Sequence, residues 1–467
     1  MSDNIMQKKE IHGLVPLNED SDQAVLTHRH QLSVITDRQQ PDTYSELEYF
    51  TQEAWDQYPF ASQDDIRWWM DAKYGLFLHW GPCSLIGAEI GWSRGGTRGA
   101  EKDGDEVPLS VYDNLYRYFN PQRFSAEKVV GFAKEAGLRY IILITKHHDG
   151  FCMWNTRTTD YNIMNTPFGR DVTKELADAC AAENVPFGIY FSQRDWYHKD
   201  YFTDDHMNYT RYMEEQLREL LTGYGKISVL WFDAWYPSLF KPEHWNALEV
   251  NRLAKELHPG IIINNRCSLP GDYDTPEGVI GAYQVNRPWE TTTSIHDGWS
   301  WNPHVHKSLK SFKKCIDILI GCVVGGGNLI FNVGPRSDGT IEPEITERYL
   351  EIGRWLERYG ESVYGTRGGP LHSGTWGGYC AKDNVLYIHI LYGQNLPCED
   401  GYVLVPLPEG VPVKWANMMS DSMPVIEGAL LKIPVCDLDP DDTVLRIEYT
   451  DPIPVMKADP RKGTRLD

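Results

Sequence analysis

Between Tyr74 and residue 341 the chain repeats one pattern in kind without repeating it in sequence: a short apolar run, a loop, then a segment whose apolar residues fall three and four apart. The apolar runs are YGLFLHW (74–80), RYIILIT (139–145), PFGIYFS (186–192), ISVLWFD (227–233), GIIINN (260–265) and NLIFNVG (328–334). Helix patterns lie between and after them, at 125–137, 171–184, 207–225, 309–324 and 345–365. Apolar strands alternating with amphipathic helices pair in parallel and carry the helices on the outside. No glycine-rich dinucleotide loop follows the first run, so the expected fold is α/β: a (β/α)8-like TIM barrel rather than a doubly wound sheet. The barrel has room for an irregular stave, because residues 280–290 mark a strand only weakly.

Past residue 365 the helix signal stops. Short alternating runs such as VLYIHILYG and GYVLVPLP are split by Gly, Pro and Asp, which predicts a C-terminal antiparallel β-sandwich over 366–467. The barrel is then expected over 61–365, preceded by an arm and a helix leading into it over 1–60. The 467 residues suffice for this arrangement. A net charge of -21 disfavours nucleic acid and anionic membrane surfaces as partners. The sequence shows no secretory leader pattern and no apolar run long enough to span a membrane, so a cytoplasmic location is the expectation. The nine cysteines are odd in number and form no CxxC pair, which points to reduced thiols and offers no zinc cluster.

In a parallel barrel the active site lies at the C-terminal ends of the strands. Here those ends are polar: His79-Trp80; Lys146-His147-His148-Asp149; Tyr190 and Ser192; Trp231-Phe232-Asp233; Asn264-Asn265-Arg266; and Trp289-Glu290 in a loop near the sixth run. One such residue is readily a cap or a bonded core group, whereas six sets at one end converge in space. Retaining glycoside hydrolysis needs two carboxyl groups about 5–5.5 Å apart, one to attack the anomeric carbon and one to protonate the leaving oxygen. Asp233 is the natural nucleophile, since it closes an otherwise apolar strand where an idle charge would be costly. His147, His148 and Arg266 are placed to keep it ionised. For its partner, Glu290, Glu277, Asp297, Asp272 and Asp274 are all available, and spacing does not choose among them. A metal-dependent hydrolase is the competing enzyme reading, with His79, His147, His148 and Asp233 as ligands. It lacks an HxH or HExxH spacing, and adjacent histidines in extended chain would point to opposite sides. A carbohydrate-binding protein without activity is a third reading and requires that one carboxylate be lost.

The segments KYGLFLHWGPCSL (73–85), AGLRYIILITKHHDGFCMWNT (136–156), YNIMNTPFGRDVTKELADAC (161–180), GIYFSQRDWYH (188–198), VLWFDAW (229–235), INNR (263–266) and GGGNLIFNVGPRSDGTI (325–341) occur together and in this order. In this the chain resembles the α-L-fucosidases of glycoside hydrolase family 29. The resemblance implies an exo-acting α-L-fucosidase that works by double displacement, with Asp233 of WFD as nucleophile. By the same resemblance His79, His147, His148, Tyr190, Trp231, Arg266 and Trp92 line the sugar pocket, and Glu89 stands for an acidic neighbour of that tryptophan. Glu290, in a Trp-Glu pair, is the expected acid/base and Glu277 the second choice. Trp92, Trp231 or Trp299 would stack on the sugar face. No metal and no organic cofactor is implied, the substrate partner is a fucosylated oligosaccharide or glycoconjugate, and a homo-oligomer is expected. A pocket built around a methyl group discriminates weakly against an added hydroxyl, so α-L-galactosides are the alternative substrates.

Overall fold

The computed structural model describes residues 15–16, 52–95, 107–201, 203–233, 242–281, 287–371, 373, 376–391, 396, 398–408, 412–419, 424–455 and 457–461. The arm expected at the N-terminus lies for most of its length outside them. Seven strands, β1 (Tyr74–Leu78), β2 (Ile141–Lys146), β3 (Phe187–Ser192), β4 (Val229–Asp233), β5 (Ile262–Ile263), β6 (Glu290–Ser294) and β7 (Asn328–Val333), form one parallel sheet in the order β5-β4-β3-β2-β1-β7-β6. Between β5 and β6 the ring is completed by residues 273–277, which make only isolated parallel bridges. Asn264 pairs with Tyr273 on one side, and Asp274 with Trp289 and Glu277 with Thr292 on the other. The weak strand expected over 280–290 is thus resolved differently. An irregular stave precedes that stretch, and a regular strand begins at its last residue.

The helices are α1 (Gln63–Ala72), α2 (Ala126–Glu135), α3 (Val172–Ala182), α4 (His206–Gly223), α5 (Ala247–Leu257), α6 (Phe312–Val324) and α7 (Pro343–Tyr359). Four of them start on a side chain that accepts a backbone N–H of the first turn: Ser62, Ser125, Asp171 and Ser311. Strand alternation divides the core into two layers. Leu76, Leu78, Ile141, Leu143, Ile189, Leu230, Leu329 and Phe331 pack outward under the helices. Phe77, Ile142, Ile144, Tyr190, Val229, Trp231 and Ile330 fill the barrel together with Ile66 and Trp69 of α1, which closes its N-terminal end. No helix among the described residues is long and apolar enough to cross a membrane.

Beyond α7 come β8 (Arg367–Gly368), β9 (Gly377–Lys382), β10 (Val385–Ile390), β11 (Cys398–Glu399), β12 (Tyr402–Pro406), β13 (Val413–Met418), β14 (Val425–Glu427), β15 (Leu430–Pro434) and β16 (Thr443–Tyr449). They form two antiparallel sheets, β8-β9-β10-β16-β13 and β11-β12-β15-β14. Val403, Val405, Leu431 and Ile433 of one meet Leu386, Ile388, Leu445 and Ile447 of the other in a separate apolar core.

Candidate active site

At the C-terminal mouth of the barrel one pocket is lined by Phe77, His79, Trp92, His147, His148, Tyr190, Arg194, Trp231, Asp233, Arg266, Glu277, Thr292 and Trp299. Strand geometry brings them there. Residues 229, 231 and 233 of β4 share the inward face, so Asp233 stands at the rim one pleat above Trp231. Asp233 accepts hydrogen bonds from Arg266 Nη1 (2.9 Å) and from the Tyr190 hydroxyl (2.7 Å), with His148 Nε2 3.7 Å away. Burial pushes its carboxyl up, but the Arg266 guanidinium and the Tyr190 hydroxyl outweigh burial and hold it below the ordinary value. Arg266 donates its other terminal nitrogen, Nη2, to Glu277 Oε2 at 2.7 Å. One guanidinium therefore spans two carboxylates in the same pocket.

The histidines are held neutral. Asn332 donates its amide nitrogen to the Trp299 carbonyl, which fixes the amide so that its oxygen faces His79 Nδ1 at 2.7 Å. Nδ1 must then carry the proton, and Nε2 is left as an acceptor for a substrate hydroxyl. Burial drives the His79 pKa down to about 3. His148 Nδ1 lies 2.6 Å from Ser192 Oγ, and burial also lowers its pKa and that of His147. The chain leaves β2 at Lys146, so the rings of His147 and His148 do not diverge as extended chain would require. Their centroids are 4.1 Å apart and both face the pocket. With Asp233 they offer ligand atoms within 4.8 Å of one another. A dication there would sit beside the guanidinium already bonded to Asp233 and close to that of Arg194, an arrangement electrostatics disfavours.

Glu290, Glu89, Asp272 and Asp274, expected or available for the site, lie elsewhere. Glu290 begins β6, with its register partner Asn328 at the start of β7, so it belongs to the N-terminal half of the barrel. Its side chain shares the inward face with Thr292, but about 6–7 Å deeper for two residues of strand. It is fully buried and does not line the pocket, so the structure separates the expected acid/base from Asp233, the expected nucleophile. Glu89 is a brace behind the wall: it accepts the backbone N–H groups of Trp299 and Ser300, both at 2.9 Å, and thereby holds Trp299 over His79. Asp272 and Asp274 are tied to Lys255 (2.6 Å) and Arg287 (2.6 Å), away from the pocket. Arg194, Phe77 and Thr292 were not anticipated. Arg194 stands two residues beyond the end of β3, in a segment already matched by the family motif, with its guanidinium 5.8 Å from the Trp92 ring.

A family model described as α-L-fucosidase matches residues 26–361. The chain belongs to the α-L-fucosidase family. Among its relatives are the tissue α-L-fucosidase of Rattus norvegicus, 26% identical over 406 residues (79% of this chain, 86% of that one), and that of Homo sapiens, 28% identical over 327 residues (64% and 69%). Among solved structures, α-L-fucosidase isoenzyme 1 from Paenibacillus thiaminolyticus superposes with a TM-score of 0.74 at 30% identity, covering 85% of this chain and all of that one. A family 29 α-L-fucosidase of Bacteroides thetaiotaomicron, trapped as a covalent intermediate with 2-fluoro-fucosyl fluoride, gives 0.72 at 27% identity, with 84% and 97% covered.

Proposed function

We propose that the chain removes terminal α-L-fucosyl residues from glycoconjugates with retained configuration, and that Asp233 and Glu277 are its two catalytic carboxylates. The observation that carries the assignment is the bridging of both by Arg266 inside one pocket. A guanidinium holding one carboxylate on each terminal nitrogen keeps them at the short separation that retaining hydrolysis uses, about 5–5.5 Å. Asp233, kept ionised, attacks C1 and forms the fucosyl ester as the C1–O bond to the aglycone breaks. Glu277 gives its proton to the departing oxygen. It then takes a proton from water, which attacks C1 and releases fucose and the Asp233 carboxylate. His79 Nε2 accepts from a sugar hydroxyl, and Trp92 and Trp299 supply ring faces. Both carboxylates are present, so the reading as a binding protein without activity finds no support.

The test is turnover of p-nitrophenyl α-L-fucoside by wild type, Asp233→Ala and Glu277→Ala, with azide added. Glu277→Ala should be rescued to give the α-azide, because azide attacks the covalent intermediate. Asp233→Ala should give the inverted β-azide. A Glu277→Ala variant with unchanged turnover would sink the assignment. Activity on α-L-galactosides is a second reading, favoured by Thr292, which lines the pocket and whose buried hydroxyl makes no hydrogen bond within the protein. Thr292→Val should lower kcat/KM for the galactoside more than for the fucoside.

A further inference from the structure

Glu290 is an acidic group buried at the floor of the barrel. Its Oε2 accepts the Trp69 indole N–H at 3.2 Å and meets the Tyr140 hydroxyl, while Oε1 has no hydrogen bond of normal geometry. Trp231 of β4 turns its indole N–H towards the same carboxyl and has no other acceptor. The remaining titratable neighbours are Tyr273 from the irregular stave and Cys322 from α6. Burial raises both phenols and pushes the thiol up to about 12, so each is neutral at pH 7. Among the described residues no cation bonds to Glu290. The room is built in: a Cβ on Gly75 would lie 2.3 Å from the Tyr140 ring. A carboxylate without a countercharge is costly in such surroundings, and burial accordingly pushes the Glu290 pKa up to about 7.

Trp231 links this group to the chemistry. Its ring stacks on Tyr190 at 5.5 Å and 19°, and the Arg266 guanidinium lies 4.8 Å from it. Tyr190 and Arg266 both donate to Asp233, and Arg266 also holds Glu277. The indole is thus the shelf under both.

We infer that Glu290 is a positioning residue that acts through Trp231: as the neutral acid it leaves the indole flat beneath Tyr190 and Arg266, and as the carboxylate it disturbs both donors to Asp233. Ionised Oε1 becomes a strong acceptor that draws the indole N–H towards the floor. The new negative charge also attracts Arg266 away from Asp233. The inference rests on the Asp233–Glu277 reading above, and its consequence is a fall in activity as Glu290 loses its proton.

The experiment follows kcat/KM against pH in a Glu277→Gln background, with 2,4-dinitrophenyl α-L-fucoside as a substrate whose leaving group needs no acid. A fall in rate on the alkaline side, near neutral pH, should remain. Adding Glu290→Gln should remove that fall or move it up by about one pH unit or more. Tyr140→Phe deletes a hydroxyl that favours the ionised form, so it should also move the fall upward while KM is unchanged. An alkaline limb that neither substitution moves overturns the inference, and if Glu290→Gln does not fold, Tyr140→Phe decides alone. Failure of the Glu277 assignment is seen separately, as full turnover of the p-nitrophenyl substrate by Glu277→Gln. The displacement of the limb by Glu290→Gln is then read in the wild-type background.

Discussion

At the scale of single residues, the decisive contacts are those on Asp233. The proposed nucleophile must be ionised, and the Arg266 guanidinium and the Tyr190 hydroxyl hold its carboxyl below the ordinary value against burial. Replacing Arg266 by Lys puts a point charge where a fork held two carboxylates. The Asp233 pKa should rise, so the acid limb of kcat/KM should move to higher pH by about one unit. A limb that stays in place would separate Arg266 from the ionisation of Asp233. Tyr190→Phe removes a hydrogen bond to a charged group, worth about 1.5–3 kcal/mol. Steady-state kinetics should show kcat/KM down about 10- to 150-fold with the fold intact. His79, Tyr190, Trp231, Asp233 and Arg266 were legible in the sequence because each stands on or just past the C-terminal half of an apolar run. Phe77 and Thr292 were hidden by resembling ordinary strand residues, and Arg194 by lying in irregular chain where no periodicity applies.

At the scale of elements, the expectation of Glu290 as acid/base rests on placing it in a loop. ETTTS is not apolar, but a run of β-branched threonines favours a strand, and it forms β6. Once Glu290 starts a strand instead of sitting in a loop, it belongs to the floor. Glu277, by contrast, ends the stave of residues 273–277, whose isolated bridges follow no pattern that periodicity could detect. The junction is held by Trp289, which is sandwiched between two glycines. A Cβ on Gly327 would lie 2.3 Å from its ring and one on Gly281 2.5 Å. Gly327→Ala should therefore cost about 1–3 kcal/mol by overpacking, measured by chemical denaturation, and it should lower kcat by shifting the stave that carries Glu277. A variant as stable and as active as wild type would show that the ring can move freely.

At the scale of the whole molecule, the C-terminal sheets are joined to the barrel by polar contacts, one buried and one partly exposed. Cys380 Sγ meets the Ser362 carbonyl at 3.1 Å, and Arg367 pairs with Asp71 at 2.7 Å. Near that junction His389 Nδ1 lies 2.6 Å from Asp442 Oδ2, both fully buried. Burial pushes the His389 pKa down, but the charge and hydrogen bond of Asp442 outweigh it and raise it to about 10. A folded value above the ordinary 6.5 means that this pair stabilises fully below that pH and that the contribution is lost as pH climbs towards 10. The unfolding midpoint should drop over that interval. His389→Gln should flatten the dependence and cost about 3–5 kcal/mol at the acid end, as breaking a buried pair does. A pH dependence unchanged in the variant would assign it to other groups.

The order of apolar runs and helices, set by the periods of strand and helix, determined a parallel barrel and which residues reach its mouth. The motifs at those run ends determined the family. Only the tertiary structure decided which of two glutamates stands beside Asp233. That depends on where a strand begins, and a shift of a few residues carries a side chain from the barrel mouth to its floor. Two bonds from one guanidinium put Glu277 in the pocket, and burial among Trp69, Tyr140 and Trp231 kept Glu290 out of it.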